Sequence, residues 1–206
     1  MTSTAIFSSY YLAPISFYHA LTQFPRVYTD VCENFVKQTY RSRTYMMGPN
    51  GVQILTIPLT HIKKRQRLKD IRISYAENWQ KIHWKSIEAG YRRSAYFEYY
   101  EDHFYPVFHK QTQYLLDFNE TLQHKVLELL SLDVNITHSD HYLTPEEGST
   151  DFRSSFTPKS ISSDLNFPEY YQVFSDRNPF APNLSIIDLL FNEGPNALNY
   201  LKSISK

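Results

Sequence analysis

One stretch restricts this chain more than any other: residues 33–59, ENFVKQTYRSRTYMMGPNGVQILTIPL. It opens with Glu33, Asn34, Lys37, Gln38, Arg41 and Arg43 among aromatics, turns at Gly48-Pro49-Asn50-Gly51, and closes on an apolar run ended by Pro58. An Asn-Gly pair between two β-prone segments is the strongest short-range hairpin signal, because both residues tolerate the positive φ of a tight turn. The reading is a β-hairpin over 41–58, with charges on its first strand and core residues on its second. If the first strand reaches further back, the pleat places Lys37, Thr39, Arg41 and Arg43 on one face and Gln38, Tyr40 and Ser42 on the other. Such a row of cations is either a solvated face or the wall of an anion-binding cleft.

Length and charge narrow the remaining choices. A chain of 206 residues suits one domain with its own core. Lysine plus arginine and aspartate plus glutamate balance at 21 each. No global field therefore steers the protein to nucleic acid or to a membrane surface, and any anion site must be local. The one cysteine, Cys32, excludes an internal disulfide and reads as a buried structural thiol in a reducing compartment. Residues 1–24 lack the basic n-region of a signal peptide, and no apolar stretch is long enough to span a bilayer, so a cytoplasmic protein without membrane insertion is expected. The 17 Tyr and 14 Phe suit packing and also walls on which a ring-shaped ligand stacks.

In chain order, residues 4–9 read as a strand, Ile15–Phe24 as a helix stopped by Pro25, and Arg26–Val31 as a second strand. This is a βαβ unit, whose ligand site lies beyond the carboxyl end of the first strand, with Tyr10 and Tyr11 at the mouth. The connecting loop has no glycine-rich phosphate fingerprint, so no dinucleotide cofactor is expected. Residues 61–72 carry six basic side chains against Asp70 and read as a solvated, mobile loop rather than a phosphate clamp. Ile71 and Ile73 suggest a further strand, and Trp84, Ile87 and Tyr91 a helix starting near Glu77. His83 beside Trp84 is either a satisfied core histidine or a general base. Residues 112–131 form the clearest helix, with Asn119 on the apolar stripe of Leu115, Phe118, Leu122 and Val126. A carboxamide there must be buried and bonded, as a structural bracket or as a ligand contact.

Residues 133–137 read as a short strand. His138 and His141 supply two imidazoles without a third ligand, so no metal is expected. Residues 143–168, rich in Ser, Thr, Pro and Asp, read as a long flexible crossing. Tyr170–Phe174 suits a strand and 182–191 a helix, capped by Asn183 or Ser185, with Asp188 one turn in. The whole is an α/β fold in a single domain spanning 1–206. It has a mixed sheet with an N-terminal βαβ unit, a β-hairpin near 41–58 and several packed helices.

These motifs resemble the WbqC-like protein family. Matched outward from Pro49-Asn50-Gly51, Lys37 falls on the family's lysine, Tyr40 on an aromatic position, Arg43 on its arginine, and Leu55-Thr56-Ile57-Pro58 on its strand. Ser42 stands where asparagine is usual. Tyr10, Tyr11, Pro14, Ile15 and Tyr18 are similar to the family's first loop and helix, with Ser8-Ser9 in place of Gln-Pro. His83-Trp84, Ala95-Tyr96-Phe97 and Asn119 also fit, and the segment 182–190 followed by Gly194-Pro195 is the most specific match. The resemblance covers nearly all of the chain except 143–168, where longer members carry additional α/β structure.

Family members are bacterial and are often encoded among surface-polysaccharide genes. The resemblance implies a transferase of O-antigen or capsule assembly, moving glycine or another acyl or amino group onto an activated sugar. The alternative is a non-catalytic binding or scaffold protein of the same pathway. On the first reading the partner is a small-molecule sugar or nucleotide-sugar. Lys37 and Arg43 would hold its anion, Tyr10 and Tyr91 would stack on the sugar, and Asp188, His83 or Glu33 would take a proton. Asn119, Asn183 and Ser185 complete the expected substrate site, with no cofactor. Lys37 and Arg43 are expected to converge with the N-terminal turn of the helix near Leu184, where Asp188 neutralises Arg43 or acts on the substrate. On the second reading the same cations pair with Glu33, Glu98 and Asp188. Oligomeric state is left open.

Overall fold

Ala5, Ile6 and Phe7 are consecutive apolar residues, and a strand apolar on both faces can be satisfied only where both faces are covered. They form β1 (Ala5–Phe7), fully buried, in a computed structural model that describes residues 4–146, 149–158 and 164–205. α1 (Ile15–Leu21) leads to β2 (Arg26–Thr29), which pairs in parallel with β1 through Ala5↔Val27, Ile6↔Tyr28 and Phe7↔Thr29. This is the expected βαβ unit. β5 (Asn135–His138) adds in parallel outside β2, and β6 (Thr150–Asp151) adds in parallel on the other side of β1. The order β5-β2-β1-β6 puts the carboxyl ends of all four strands along one edge.

The hairpin forms from β3 (Arg43–Gly48) and β4 (Gly51–Thr56), paired antiparallel from Arg43↔Thr56 to Gly48↔Gly51. Positive φ is taken by Gly51 alone, at 101°, while Pro49 and Asn50 fill the turn centre. The expected roles of the two strands are reversed. β3 is the buried strand, and Val52 and Ile54 of β4 are about half exposed, at 52% and 49%. The reason lies in α2 (Trp79–Tyr91), whose Gly90 lets the backbone of β3 close in: a Cβ there would stand 2.7 Å from Met46 Cε and Met47 O. β4 is left as the free edge of a two-stranded sheet. Nor does the first strand reach back to Lys37. Residues 37–42 form turns, with Gln38 at φ 60°, so no alternating row of cations exists.

α3 (Phe97–His109) and α4 (Leu115–Leu130) pack against α2 and against α5 (Ile186–Glu193), which is followed by α6 (Ala197–Ser203). The result is a mixed α/β single domain. The expected strand at 170–174 is absent. That segment is held by a side chain instead: the buried Gln172 amide donates to Ala181 O at 3.0 Å and accepts from Ala181 N at 3.0 Å. The basic stretch 61–72 is exposed at its cations but not loose, because Leu68 and Ile71 are buried and Leu68 N donates to Glu33 O at 2.9 Å. Ile73 makes a single bridge to Leu59 rather than a strand. Within 143–168, the stretch read as a flexible crossing, β6 joins the sheet and Arg153 is buried, while 147–148 and 159–163 lie outside the described residues. Among the described residues no helix is long and apolar enough to cross a membrane.

Candidate functional site

The carboxyl edge of the sheet is where an open α/β fold usually receives its ligand. Each strand delivers a polar residue there: Ser8 after β1, Asp30 after β2, Ser139 after β5, and Asp151 at the end of β6. Two arginines tie them together. Arg41 grips Glu33 with two bonds, Nε to Oε1 at 2.9 Å and Nη2 to Oε2 at 2.7 Å, and Ser8 Oγ donates to the same carboxylate. Arg153 binds Asp30 through Nη1 at 2.6 Å and Asp151 through Nε and Nη2 at 3.0 and 2.7 Å. Asp30 also accepts from Cys32 N, Ser139 Oγ and Leu143 N. The carbonyl of Arg153 joins the two clusters by accepting from Arg41 Nη2 and Tyr10 Oη, both at 3.1 Å. Asn119, fully buried, donates Nδ2 to Arg41 O at 2.9 Å, and its Oδ1 has no partner among the described residues.

This edge is therefore filled, not open. Tyr10 and Tyr11 are buried at 3% and 0% instead of standing at a mouth: Arg153 and Phe156 close over Tyr10, while Tyr11 packs among His83 and Phe118. Burial raises the Tyr10 hydroxyl above its usual range, with Arg41 opposing the shift, and the ring packs edge-on against Phe17 and Phe156. Tyr91 offers no free ring either. It is fully buried, packs on Phe191, donates to Asp188 Oδ1 at 2.8 Å and accepts from Met47 N at 3.1 Å.

Asp188 and His83 lie in the same interior. Asp188 accepts from Tyr91, from Tyr170 Oη at 2.5 Å and from Gln172 Nε2 at 2.8 Å; burial pushes its carboxyl up, against the pull of these three bonds. It contacts no arginine among the described residues, so the expected Asp188–Arg43 pairing is not formed. His83 Nδ1 is 2.9 Å from Tyr11 Oη, and burial lowers the imidazole to about 4, with a Thr56 backbone bond opposing. None of the three acids expected to pair with Lys37 and Arg43 does so among the described residues; Glu33 pairs with Arg41 instead. Ser185 does not cap α5 with its side chain. Its Oγ donates to Leu12 O at 2.9 Å, while Asn183 caps a different helix, accepting from Ser16 N of α1 at 2.8 Å.

Among the openings that the described residues line, two bear on the expected site. A cavity of about 750 Å³ lies between α1, α6 and the segment after β6, walled by Phe24, Tyr40 and Phe156 with His19, Asn183 and Lys202 among its polar groups. Burial pushes the Tyr40 hydroxyl up to about 12. His19 Nδ1 lies 2.8 Å from Leu201 O, and a carbonyl can only accept, so Nδ1 carries the proton and Nε2 of the neutral ring is the proton acceptor. A shallower groove of about 410 Å³ at the base of the hairpin is lined by Lys37, Ser42, Arg43, Thr60 and His61. The structure thus brings Lys37 and Arg43 together, but the described lining of their groove contains nothing from 183–188. His19, Phe156 and Lys202 were not singled out in the sequence, and Tyr40 only as an aromatic position of the family resemblance. They come from four distant segments, and the one local hint is a histidine among the apolar residues of α1.

A profile of the WbqC-like protein family matches residues 9–160 and 138–200, and the chain belongs to that family. The uncharacterized protein Rv1507c of Mycobacterium tuberculosis is 26% identical over 203 residues, covering 85% of this chain and 86% of its own. No solved structure matches.

Proposed function

We propose that the protein is a transferase of surface-polysaccharide assembly, working in the cytoplasm, which holds an activated sugar in the α1–α6 cavity and moves glycine or another acyl or amino group onto it. The observation that carries this reading is the cavity itself. Its volume of about 750 Å³ falls in the range of small-molecule sites, and it combines aromatic walls with a few convergent polar groups. His19 supplies the proton acceptor. As an amine or hydroxyl of one reactant attacks the acyl carbon of the other, its proton passes to His19 Nε2, and the leaving group departs with the bonding electron pair. The Lys202 ammonium, exposed at the cavity rim, suits the phosphate of an activated sugar.

The second reading, a binding protein without chemistry, is favoured by one observation: Asp188 and His83 are bonded inside the core and line none of the described openings. A thermal-shift screen with nucleotide-sugars and acyl donors tests both. A ligand at a hundred times its dissociation constant adds about 2.7 kcal/mol. The shift should vanish in Phe156→Asp. His19→Gln should keep the shift and lower turnover by roughly 10²-fold or more. A shift without turnover in the unmodified protein establishes the second reading, and no shift with any compound overturns both.

A further inference from the structure

The half-buried Arg43 stands apart from the other arginines withdrawn from water. Arg41 and Arg153 are each held by carboxylates in two-pronged contacts. Arg43 enters no ion pair among the described residues, and neither does Lys37. A guanidinium keeps its charge at all ordinary pH and is best satisfied by two oxygens of one anion. Leaving it partly desolvated without a counter-charge costs stability unless an anion arrives from outside.

The surroundings fit that anion. The described lining of the groove contains no aspartate or glutamate; it offers Lys37 and Arg43 as cations and the hydroxyl of Ser42 as a donor. Beside it runs the basic stretch, with Lys63, Lys64, Arg65 and Arg67 exposed. That stretch is tied to the groove wall by Phe35 N donating to Gln66 O at 2.9 Å and by the Asn34↔Arg67 bridge. In a chain with no net charge, this is a concentrated local positive field facing one opening. The loop presenting Lys37 also holds Gln38 at φ 60°, a conformation uncommon for a residue with a side chain and concentrated at ligand clamps.

We propose that this groove is a second binding site, independent of the cavity, and that it takes a phosphate or diphosphate group between Arg43 and Lys37. Arg43 supplies the planar two-donor fork, Lys37 a movable point charge for the neighbouring phosphate, and Ser42 a neutral donor. The phosphate can belong to a soluble nucleotide or to a lipid headgroup, since the recognising chemistry is shared.

Calorimetric titration of the full chain with inorganic pyrophosphate at low salt tests the site. Binding should weaken at least tenfold in Lys37→Glu/Arg43→Glu, with the unfolding midpoint unchanged, and should fall as salt is raised. Lys81→Glu/Lys85→Glu, which reverses two exposed lysines on α2, is the charge-matched control and should bind as the unmodified protein does. Uridine diphosphate and vesicles containing anionic phospholipid form the two further arms, and the one whose binding the groove variant abolishes identifies the source. The proposal is overturned if pyrophosphate does not bind, if the groove variant binds it equally well, or if the control loses as much. None of these results bears on the cavity, whose ligands are read by the Phe156 variant.

Discussion

Arg41 and Arg43 are two residues apart and meet opposite fates. Arg41 turns into the carboxyl edge of the parallel sheet, is only 4% exposed, and is closed against Glu33. Arg43 begins β3 and faces a groove without a carboxylate. The difference separates two regions of the molecule. At the sheet edge, the usual ligand position of such a fold is occupied by the protein's own ion pairs, closed by Arg153. At the hairpin base, Lys37 and Arg43 enter no ion pair among the described residues, and at the rim of the α1–α6 cavity the Lys202 ammonium is exposed. A buried arginine therefore says little about binding until its counter-ions have been found; the informative arginine is the one lacking them.

The largest effect that would break this contrast is in Glu33. Glu33→Ala leaves Arg41 buried and uncompensated, and unfolding in urea should show a loss of about 3–5 kcal/mol. Arg43→Ala should change stability by no more than about 0.5 kcal/mol. Equal costs at the two sites would show that Arg43 has a hidden partner and would remove the basis for the groove. Replacing the pair together, Glu33→Leu with Arg41→Met, should cost clearly less than Glu33→Ala alone, because no charge is then stranded.

The two histidines sharpen the same contrast through pH. His83 is held at about 4 in the fold, below its ordinary value of about 6.5. The unfolded chain therefore binds the proton first. The contribution of His83 is fully present above pH 6.5, declines as pH falls towards 4, and changes no further once both states are protonated. A displacement of roughly 2.5 pKa units corresponds to a loss on the order of 3 kcal/mol across that window. His83→Gln should flatten this part of the stability profile. His19→Gln, at the cavity, should leave its slope intact. A profile unaffected by His83→Gln would mean that the imidazole is not shielded as the packing of Trp79 and Tyr11 implies.

Local chemistry made the βαβ unit, the hairpin and the helices at α2, α4 and α5 readable. Pro25 marks the end of the α1 segment, although the helix closes earlier, at Leu21; the Pro49-Asn50-Gly51 turn sets the register of β3 and β4, and Leu115, Phe118, Leu122 and Val126 mark one helical face. What was not readable depended on who packs against whom. The apolar residues Val52 and Ile54 suggest a core strand, yet Gly90 admits β3 to the interior and leaves β4 outside. Tyr170–Phe174 has strand composition but pairs with no strand among the described residues, and Gln172 fixes it instead. For the site, pairing was the missing information. Glu33, Asp188, Tyr91 and His83 have the right chemistry for catalysis, but their partners Arg41, Tyr170, Gln172 and Tyr11 are distant or unremarkable in sequence. Lys37 and Arg43 line one groove because the turns over 37–42 fold their segment back on itself, but its described lining lacks the expected N-terminal turn near Leu184.

Asn183 sits on the border between the two kinds of region, and the smallest predicted effect concerns it. Its Oδ1 is internal, accepting from Ser16 N at the start of α1, while the residue also lines the cavity. Its φ of 57° is left-handed, a conformation that asparagine and glycine tolerate better than other residues. Asn183→Gly keeps the backbone but loses the cap, and should cost roughly a few tenths of a kcal/mol. Asn183→Asp keeps the acceptor and places a negative charge at a helix N-terminus, so stability should stay within about 0.5 kcal/mol of the unmodified protein. The aspartate variant cannot donate from the position of Nδ2, which has no partner among the described residues, and it adds a charge that repels a phosphate-bearing ligand. If the cavity is used as proposed, thermal shifts with nucleotide-sugars should shrink in Asn183→Asp while the unliganded melting temperature holds. Should both fall together, Asn183 is a cap and nothing more, and the cavity's polar contacts must be sought in His19 and Lys202.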